Sequence, residues 1–389
     1  MGALGEVETV VRRVGAILVL LSLVAACGNG QSDSATSAPS VPWVEEDLTF
    51  TFGGDDLFAV LTLPSGPGPN PAIVIVRGSG QDGVSSRYYA DHARAFAEDG
   101  YAALRYDPPG VGRSTGTSTY QTLQTRMDEV MAAVGSLQSR PDIALDQVGL
   151  WGESQGGWVI AMAAADYPED VAFIISVSGS GVSVAEQQIY NIEAESRAAG
   201  LSEHDIAKAV LFGRLLIDWQ LVEPLYRQAN EDAARDLGSG PWDFFAPLVY
   251  EPGDLTAAEN LQAGIAVLES IQDEPWAEFL RLRELYIPAL QSIPPEQAAF
   301  LKALTGPDLR RNPGDAMTKV QCPVLAFFGE DDVVQPTERS AALYAQYLTE
   351  AGNQDFEIVV IPGVGHSIDL STPGYADAMS DWLGGLFAE

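Results

Sequence analysis

The sequence predicts an α/β fold with eight strands, mostly parallel, helices on both faces of the sheet, and a helical cap inserted after strand six. Three observations predict it. Short apolar runs alternate with helical stretches from about residue 72 to residue 177, and again from residue 324 onward. The runs themselves are continuously apolar, the pattern of strands buried on both faces. From Ser183 to Asp315 strand signals stop and helical spacing continues, as in Ile206, Ala209, Val210, Leu216 and Trp219.

Residues 1–46 do not read as part of this fold. Arg12 and Arg13 precede an uncharged run from Val14 to Ala26 that ends at Cys27. About 13 residues is short for a membrane span, which needs about 20, and suits the apolar region of a secretory signal. Small residues closing on a cysteine resemble a bacterial lipoprotein signal over 1–27, with Cys27 lipidated. An ordinary signal peptide or an uncleaved anchor are the alternatives, and Glu6 and Glu8 make the leading segment unusually acidic. The arginine pair also permits twin-arginine export. Residues 28–46 open with Gly, Ser, Ala and Pro, a flexible tether. The expected setting is extracytoplasmic, with the membrane reached only through the lipid.

The core is expected over 47–182 and 316–389. Asp47–Phe52 and Leu57–Leu63 form a hairpin about Gly53-Gly54-Asp55-Asp56. Strand Ala72–Val76 leads to a helix near Arg87–Glu98, and strand Ala102–Tyr106 to one near Thr122–Ser139. Strand Val148–Trp151 runs into a helix from Gln155 to Asp166, and Val171–Val177 follows. After the cap (183–315), Val324–Phe328, a helix near Thr337–Glu350, Phe356–Ile361 and a helix near Tyr375–Phe387 complete the pattern. The cap holds 12 of 34 aromatics, the chain average, which ordinary helical packing explains.

Composition excludes several classes. Among 389 residues, 46% are hydrophobic, so there is ample material for a core and no sign of disorder. Two cysteines cannot make a disulfide framework, and Cys322, in the strand-like run Val320–Phe328, is expected to be buried and inert. With 54 acidic and 21 basic residues the formal charge is −33, which repels nucleic acid and polyphosphate substrates. The cap's share, 22 acidic to ten basic, matches the rest, so the acidity marks no one face.

Two segments match Gly-x-Ser-x-Gly, around Ser114 and Ser154. About 0.25 matches are expected by chance, so context must decide between them. A nucleophile elbow needs a strand directly before it and a helix directly after it, so that the turn lifts the hydroxyl above the sheet edge. Val148–Trp151 and Gln155–Ala165 supply both around Ser154. Ser114 lies in a loop several residues past its strand. The serine needs a base, and there are three histidines. His92 sits in an amphipathic helix, where a partly exposed ring is expected. His204, between Glu203 and Asp205, reads as a solvated helix face. His366 follows a strand in Pro362-Gly363-Val364-Gly365-His366, where open α/β sheets place functional groups.

A third group must orient the imidazole, and Glu330, Asp331 and Asp332 all follow Val324–Phe328. An oxyanion then needs two N–H donors. One is expected from Gln155 and the other from Arg77-Gly78-Ser79-Gly80-Gln81-Asp82-Gly83. That loop has a rival reading as a Gly-x-Gly-x-x-Gly dinucleotide turn, with Asp107 as the ribose-binding acid. The rival leaves Ser154 and His366 unused, and Val84–Arg87 opens no clear helix.

From residue 47 onward the chain resembles the α/β-hydrolase superfamily. Asp107-Pro-Pro-Gly110-Val-Gly112-Arg-Ser114 is similar to its Asp-x-x-Gly-x-Gly-x-Ser segment, and Gly152-Glu-Ser154-Gln-Gly156-Gly157 to its elbow. The order Ser, Asp, His is the family's. Its Gly-x-x-Asp-x-x-x-Pro pattern falls on Gly329, Asp332 and Pro336, which implies Asp332 as the acid, with Asp331 the alternative. Arg77-Gly78-Ser79-Gly80 stands where many members have His-Gly-x-Gly, implying the Ser79 N–H, or that of Gly80, as second oxyanion donor; Arg for His is a departure. The nearest subgroups are bacterial carboxylesterases of the EstD type, with serine aminopeptidase-like and acyl-transferring relatives. The resemblance implies a serine hydrolase acting on a small-molecule acyl ester, with peptidase, thioesterase or acyltransferase activity as alternatives, and no metal or cofactor. A lipid-anchored binding protein with a silent site is the non-catalytic alternative.

Overall fold

The computed structural model describes residues 42–117, 121–238, 242–294 and 306–387. The signal segment, Cys27 and most of the expected linker lie outside the described residues.

Eight strands form one sheet in the order β1-β2-β4-β3-β5-β6-β7-β8. They are β1 (Trp43–Phe52), β2 (Asp55–Pro64), β3 (Asn70–Val76), β4 (Ala102–Tyr106), β5 (Ile143–Glu153), β6 (Ile174–Val177), β7 (Val324–Gly329) and β8 (Phe356–Ile361). β2 pairs antiparallel with β1 and with β4, and the other pairs are parallel. β1 begins at Trp43, so residues 43–46 belong to the sheet and not to the linker. The Arg94 guanidinium stacks over Trp43, and Glu45 pairs with Arg105 and Arg94. These partners come from other elements, so a polar edge strand looks like a tether when read alone.

The central strands are apolar along their whole length because both faces are covered. Alternate residues go to opposite sides: Ala72, Val74 and Val76 enter one core, and Ile73 and Ile75 the other. The core helices are α1 (Arg87–Glu98), α2 (Leu123–Gln138) and α3 (Gly156–Asp166). The cap supplies α4 (Val184–Ala198), α5 (Glu203–Gln220), α6 (Arg227–Leu237), α7 (Trp242–Tyr250), α8 (Ala257–Ile271), α9 (Pro275–Phe279) and α10 (Ile287–Gln291). Capping boxes at Ser183 and Thr256 start α4 and α8. Phe212, Trp276 and Tyr286 pack with ring centroids 5.6 to 6.0 Å apart and belong to the same apolar cluster as the α2 and α3 side of the sheet.

The chain returns through α11 (Gly314–Met317), then α12 (Thr337–Glu350) and α13 (Tyr375–Leu386). α11 packs on α3 and α12, and a Cβ on Gly314 would meet the Tyr347 ring at 2.7 Å. Gly314 and Asp315 therefore lie with the core, although the cap was expected to run through 315. Cys322 lies just before β7 and is half-buried, where full burial within a strand was expected; burial still pushes its thiol up to about 12.

Candidate active site

Ser154 follows the last residue of β5 and sits one turn before α3. Its φ is +52°, a left-handed value rare for a side-chain-bearing residue. The Ser154 N–H donates to Val177 O at 2.8 Å, and its carbonyl accepts from Gly157 N at 2.9 Å, which fixes the turn at both ends. Glycine is required beside it. A Cβ on Gly156 would meet Val76 O at 2.6 Å, and one on Gly152 would meet the Gly156 backbone at 2.8 Å.

His366 lies beyond β8. Its Nε2 is 3.0 Å from Ser154 Oγ, and its Nδ1 is 2.8 Å from Asp332 Oδ2. The loop is held by Ser178 Oγ donating to His366 O and by Tyr88 Oη donating to Ile368 O, both at 2.7 Å. The three adjacent carboxylates separate by burial. Glu330 and Asp331 are exposed, whereas Asp332 is 3% exposed. Asp332 Oδ1 accepts from the N–H groups of Val334 and Gln335 at 2.7 and 2.9 Å, leaving Oδ2 turned to the imidazole.

Gln155 is the first residue after Ser154 and caps α3; Ser79 is half-buried in the loop after β3. The Gly78 N–H in that loop donates to Tyr89 Oη at 3.1 Å. Ser114 stands apart from these groups. Its Oγ donates to Asp107 O at 2.6 Å and accepts from Phe58 N at 2.8 Å, so the second serine motif is loop structure. The dinucleotide turn is not built either: α1 opens at Arg87, four residues past Gly83, and the buried Asp107 carboxylate accepts from Val84 N and Arg113 N. His204 is exposed.

His92 differs from its expected surface position. It is 1% exposed, with Nδ1 2.8 Å from Tyr88 O and Nε2 3.2 Å from Tyr375 Oη. Its ring lies 4.7 Å from that of Trp151. The helix period places His92 at the edge of an apolar stripe, and α13, contributed by the far end of the chain, covers it.

Residues 67–233, under half the chain, match the family described as Hydrolase_4, serine aminopeptidase S33. A stretch of 113 residues, 28% of this chain, is 31% identical to the mitochondrial palmitoyl-protein thioesterase ABHD10 of Homo sapiens and covers 34% of that protein. This chain therefore spans about a third of that relative. Esterase EstD of Thermotoga maritima is 24% identical over 165 residues, 41% of this chain and 39% of that one. A Pyrococcus furiosus esterase shares the fold with a TM-score of 0.52 and 11% identity, over 91% of this chain and 96% of that chain. The chain has the α/β-hydrolase fold.

Within this fold the site carries more negative charge than its three central residues. Burial works against a charged imidazole, but the hydrogen bond and charge of Asp332, with Glu153 and Glu195 beyond, outweigh it. The His366 pKa is thereby held above its ordinary value. Glu153, beside the nucleophile candidate, accepts from Tyr89 Oη at 3.1 Å, and burial pushes its carboxyl up. The cap grips the acid's loop: Tyr190 Oη and Asn191 Nδ2 on α4 donate to Asp332 O and Val333 O at 2.9 and 3.2 Å, and Gln187 to Val334 O at 2.8 Å.

Sequence reasoning missed Glu153, Tyr89 and Tyr190, and also a buried charged cluster under the β3 loop. Arg126 and Glu129, three residues apart on α2, are its only sequence signal, and such a pair normally reads as a solvated helix face. Among the described residues no group of three or more His, Cys, Asp or Glu could hold a metal ion, and no helix is long and apolar enough to cross a membrane.

Proposed function

We propose that this α/β-hydrolase is a carboxylesterase working through an acyl-enzyme. The observation that carries the reading is the unbroken chain from Ser154 Oγ to His366 Nε2 and from His366 Nδ1 to Asp332, at 3.0 and 2.8 Å. Ser154 Oγ attacks the ester carbonyl carbon while His366 Nε2 takes its proton. Asp332 fixes the tautomer with Nδ1–H and stabilises the imidazolium. The oxyanion is received by the backbone N–H of Gln155 and, since Gly78 N–H is committed to Tyr89, by that of Ser79 or Gly80. Collapse expels the alcohol, which takes the proton from His366. Water, deprotonated by the same imidazole, then releases the acid. These steps call on no metal or organic cofactor.

The family description favours a second reading, cleavage of aminoacyl amides by the same triad. The uncharged run Val14–Ala26 ending at Cys27 supports placing the enzyme outside the cytoplasm, held at the membrane through Cys27.

Labelling of the purified protein with a fluorophosphonate tests the reading. Label is expected on wild type and on Ser114→Ala and is expected to vanish with Ser154→Ala. Turnover or labelling that survives Ser154→Ala would overturn the mechanism. Faster cleavage of aminoacyl amides than of acyl esters would decide for the second reading.

A further inference from the structure

Arg126 reaches from the first turn of α2 to both segments expected to supply oxyanion donors. Its Nη1 donates to the side-chain oxygen of Gln155, the residue after Ser154. Its Nη2 donates to the carbonyl of Arg77, the residue that opens the loop carrying Ser79. One planar guanidinium thus ties the elbow to the β3 loop, and these two segments supply the two expected N–H donors. The segments also touch directly, since a Cβ on Gly156 would lie 3.1 Å from Arg77 O.

The surroundings are costly to build for packing alone. Arg126 and Arg77 are 3% and 6% exposed, and the buried Glu129 carboxylate lies 4.0 Å from Arg77 Nη2. Arg77 Nη2 donates to Gln121 Oε1 at 2.6 Å, and Gln121 in turn donates to Glu129. Burial, and then the neighbouring Arg77, push the Arg126 pKa down to about 10, so it stays charged at neutral pH. Buried charge at low dielectric acts strongly on charge that develops nearby.

We propose that Arg126 is a positioning residue of the oxyanion hole, holding the Gln155 and Ser79 N–H groups in register through its fork to Gln155 and Arg77. The inference rests on the acyl-transfer reading above. A lysine cannot replace it, because one ammonium lacks the two rigid, parallel donors.

The test compares Arg126→Gln, Arg126→Lys and Gln155→Ala, the last of which keeps the backbone N–H and removes only the acceptor. Arg126→Gln is expected to lower kcat about 10- to 100-fold, less than the 10²–10³ of losing a donor outright, with KM little changed. The inhibition constant of a trifluoromethyl ketone, which forms an oxyanionic adduct with the serine, should rise in the same proportion. Arg126→Lys should recover only a small part of the loss. Gln155→Ala should move kcat and ketone affinity the same way, and adding it to Arg126→Gln should cost little more.

A folded Arg126→Gln with kcat and ketone affinity within twofold of wild type would overturn the inference, as would a loss confined to KM. If Arg126→Gln fails to fold, Gln155→Ala decides: several-fold loss supports the tether and wild-type values refute it. Absence of fluorophosphonate labelling and of ester turnover in wild type would instead sink the underlying esterase reading.

Discussion

Tyr190 Oη, on the first cap helix, donates to the backbone oxygen of Asp332 at 2.9 Å. The helix that opens the cap is thereby bonded to the residue facing His366. With Asn191 and Gln187 bonding the next two carbonyls, one helix face fixes three successive residues of that loop. The cap and the Asp332–His366 pair are mechanically joined.

Cutting that joint should be felt in catalysis as well as stability. Tyr190→Phe removes one partly buried hydrogen bond and is expected to cost about 1 kcal/mol. It should also lower kcat several-fold by loosening Asp332. Thermal melting and ester kinetics on the same preparation check this, and unchanged kcat in a destabilised variant would show the joint to be structural only.

Asp332→Asn should lower kcat by about 10³- to 10⁴-fold, the scale of losing the correct tautomer. Asp331→Asn, at an exposed carboxylate, should leave it nearly unchanged. The pH profile gives an independent readout. The base must be neutral to accept the proton, and the raised His366 pKa puts the acid limb of kcat/KM above the ordinary histidine value of about 6.5. In Asp332→Asn the residual activity should show that limb at lower pH, since Glu153 and Glu195 alone offset less of the burial. A limb that stays in place would assign it to another group.

His92 and His366 should push stability in opposite directions with pH. Burial lowers the His92 pKa, so the folded protein binds fewer protons there than the unfolded chain. Its contribution is full above about pH 6.5 and is lost as pH falls below that. The raised pKa of His366 contributes stability below about pH 6.5, which is lost as pH rises through its folded value. The urea midpoint of His92→Phe should therefore fall less between pH 7.5 and 5.5 than that of wild type. Equal slopes would show that His92 does not carry the acid sensitivity.

Cys27→Ala should release the protein from membranes. Fractionation of cells expressing the two forms reads it directly, and continued retention would point to an uncleaved apolar segment.

The sheet was legible because its strands are apolar on both faces, so Ala72–Val76 and Val324–Phe328 announce themselves without help from partners. The elbow was legible because a strand, a serine between glycines and a helix adjoin in sequence. What partners decide could not be read locally. Trp43 belongs to a strand because β2 pairs with it, with Pro64 opposite, and His92 is interior because Tyr375, 283 residues away, closes on it. Glu330, Asp331 and Asp332 carry the same carboxylate group; the resemblance pointed to Asp332, and the fold buries that one alone of the three. Arg126 could not be picked out because nothing near it in sequence shows that Gln155 and Arg77 O lie within its reach.

β6 and β7 are neighbours in the sheet, yet Val177 and its partner Phe327 are about 150 residues apart in the chain. The whole cap is an excursion between two adjacent strands. The entropy of closing so long a loop grows only logarithmically, so doubling its length adds only about 0.6 kcal/mol. Chain closure therefore sets little limit on the cap's length, whereas its helices share the apolar cluster of the α2 and α3 side of the sheet and must keep that packing. The length of the cap is thus a loose constraint on the fold, and the α4 face that meets Asp332 a tight one.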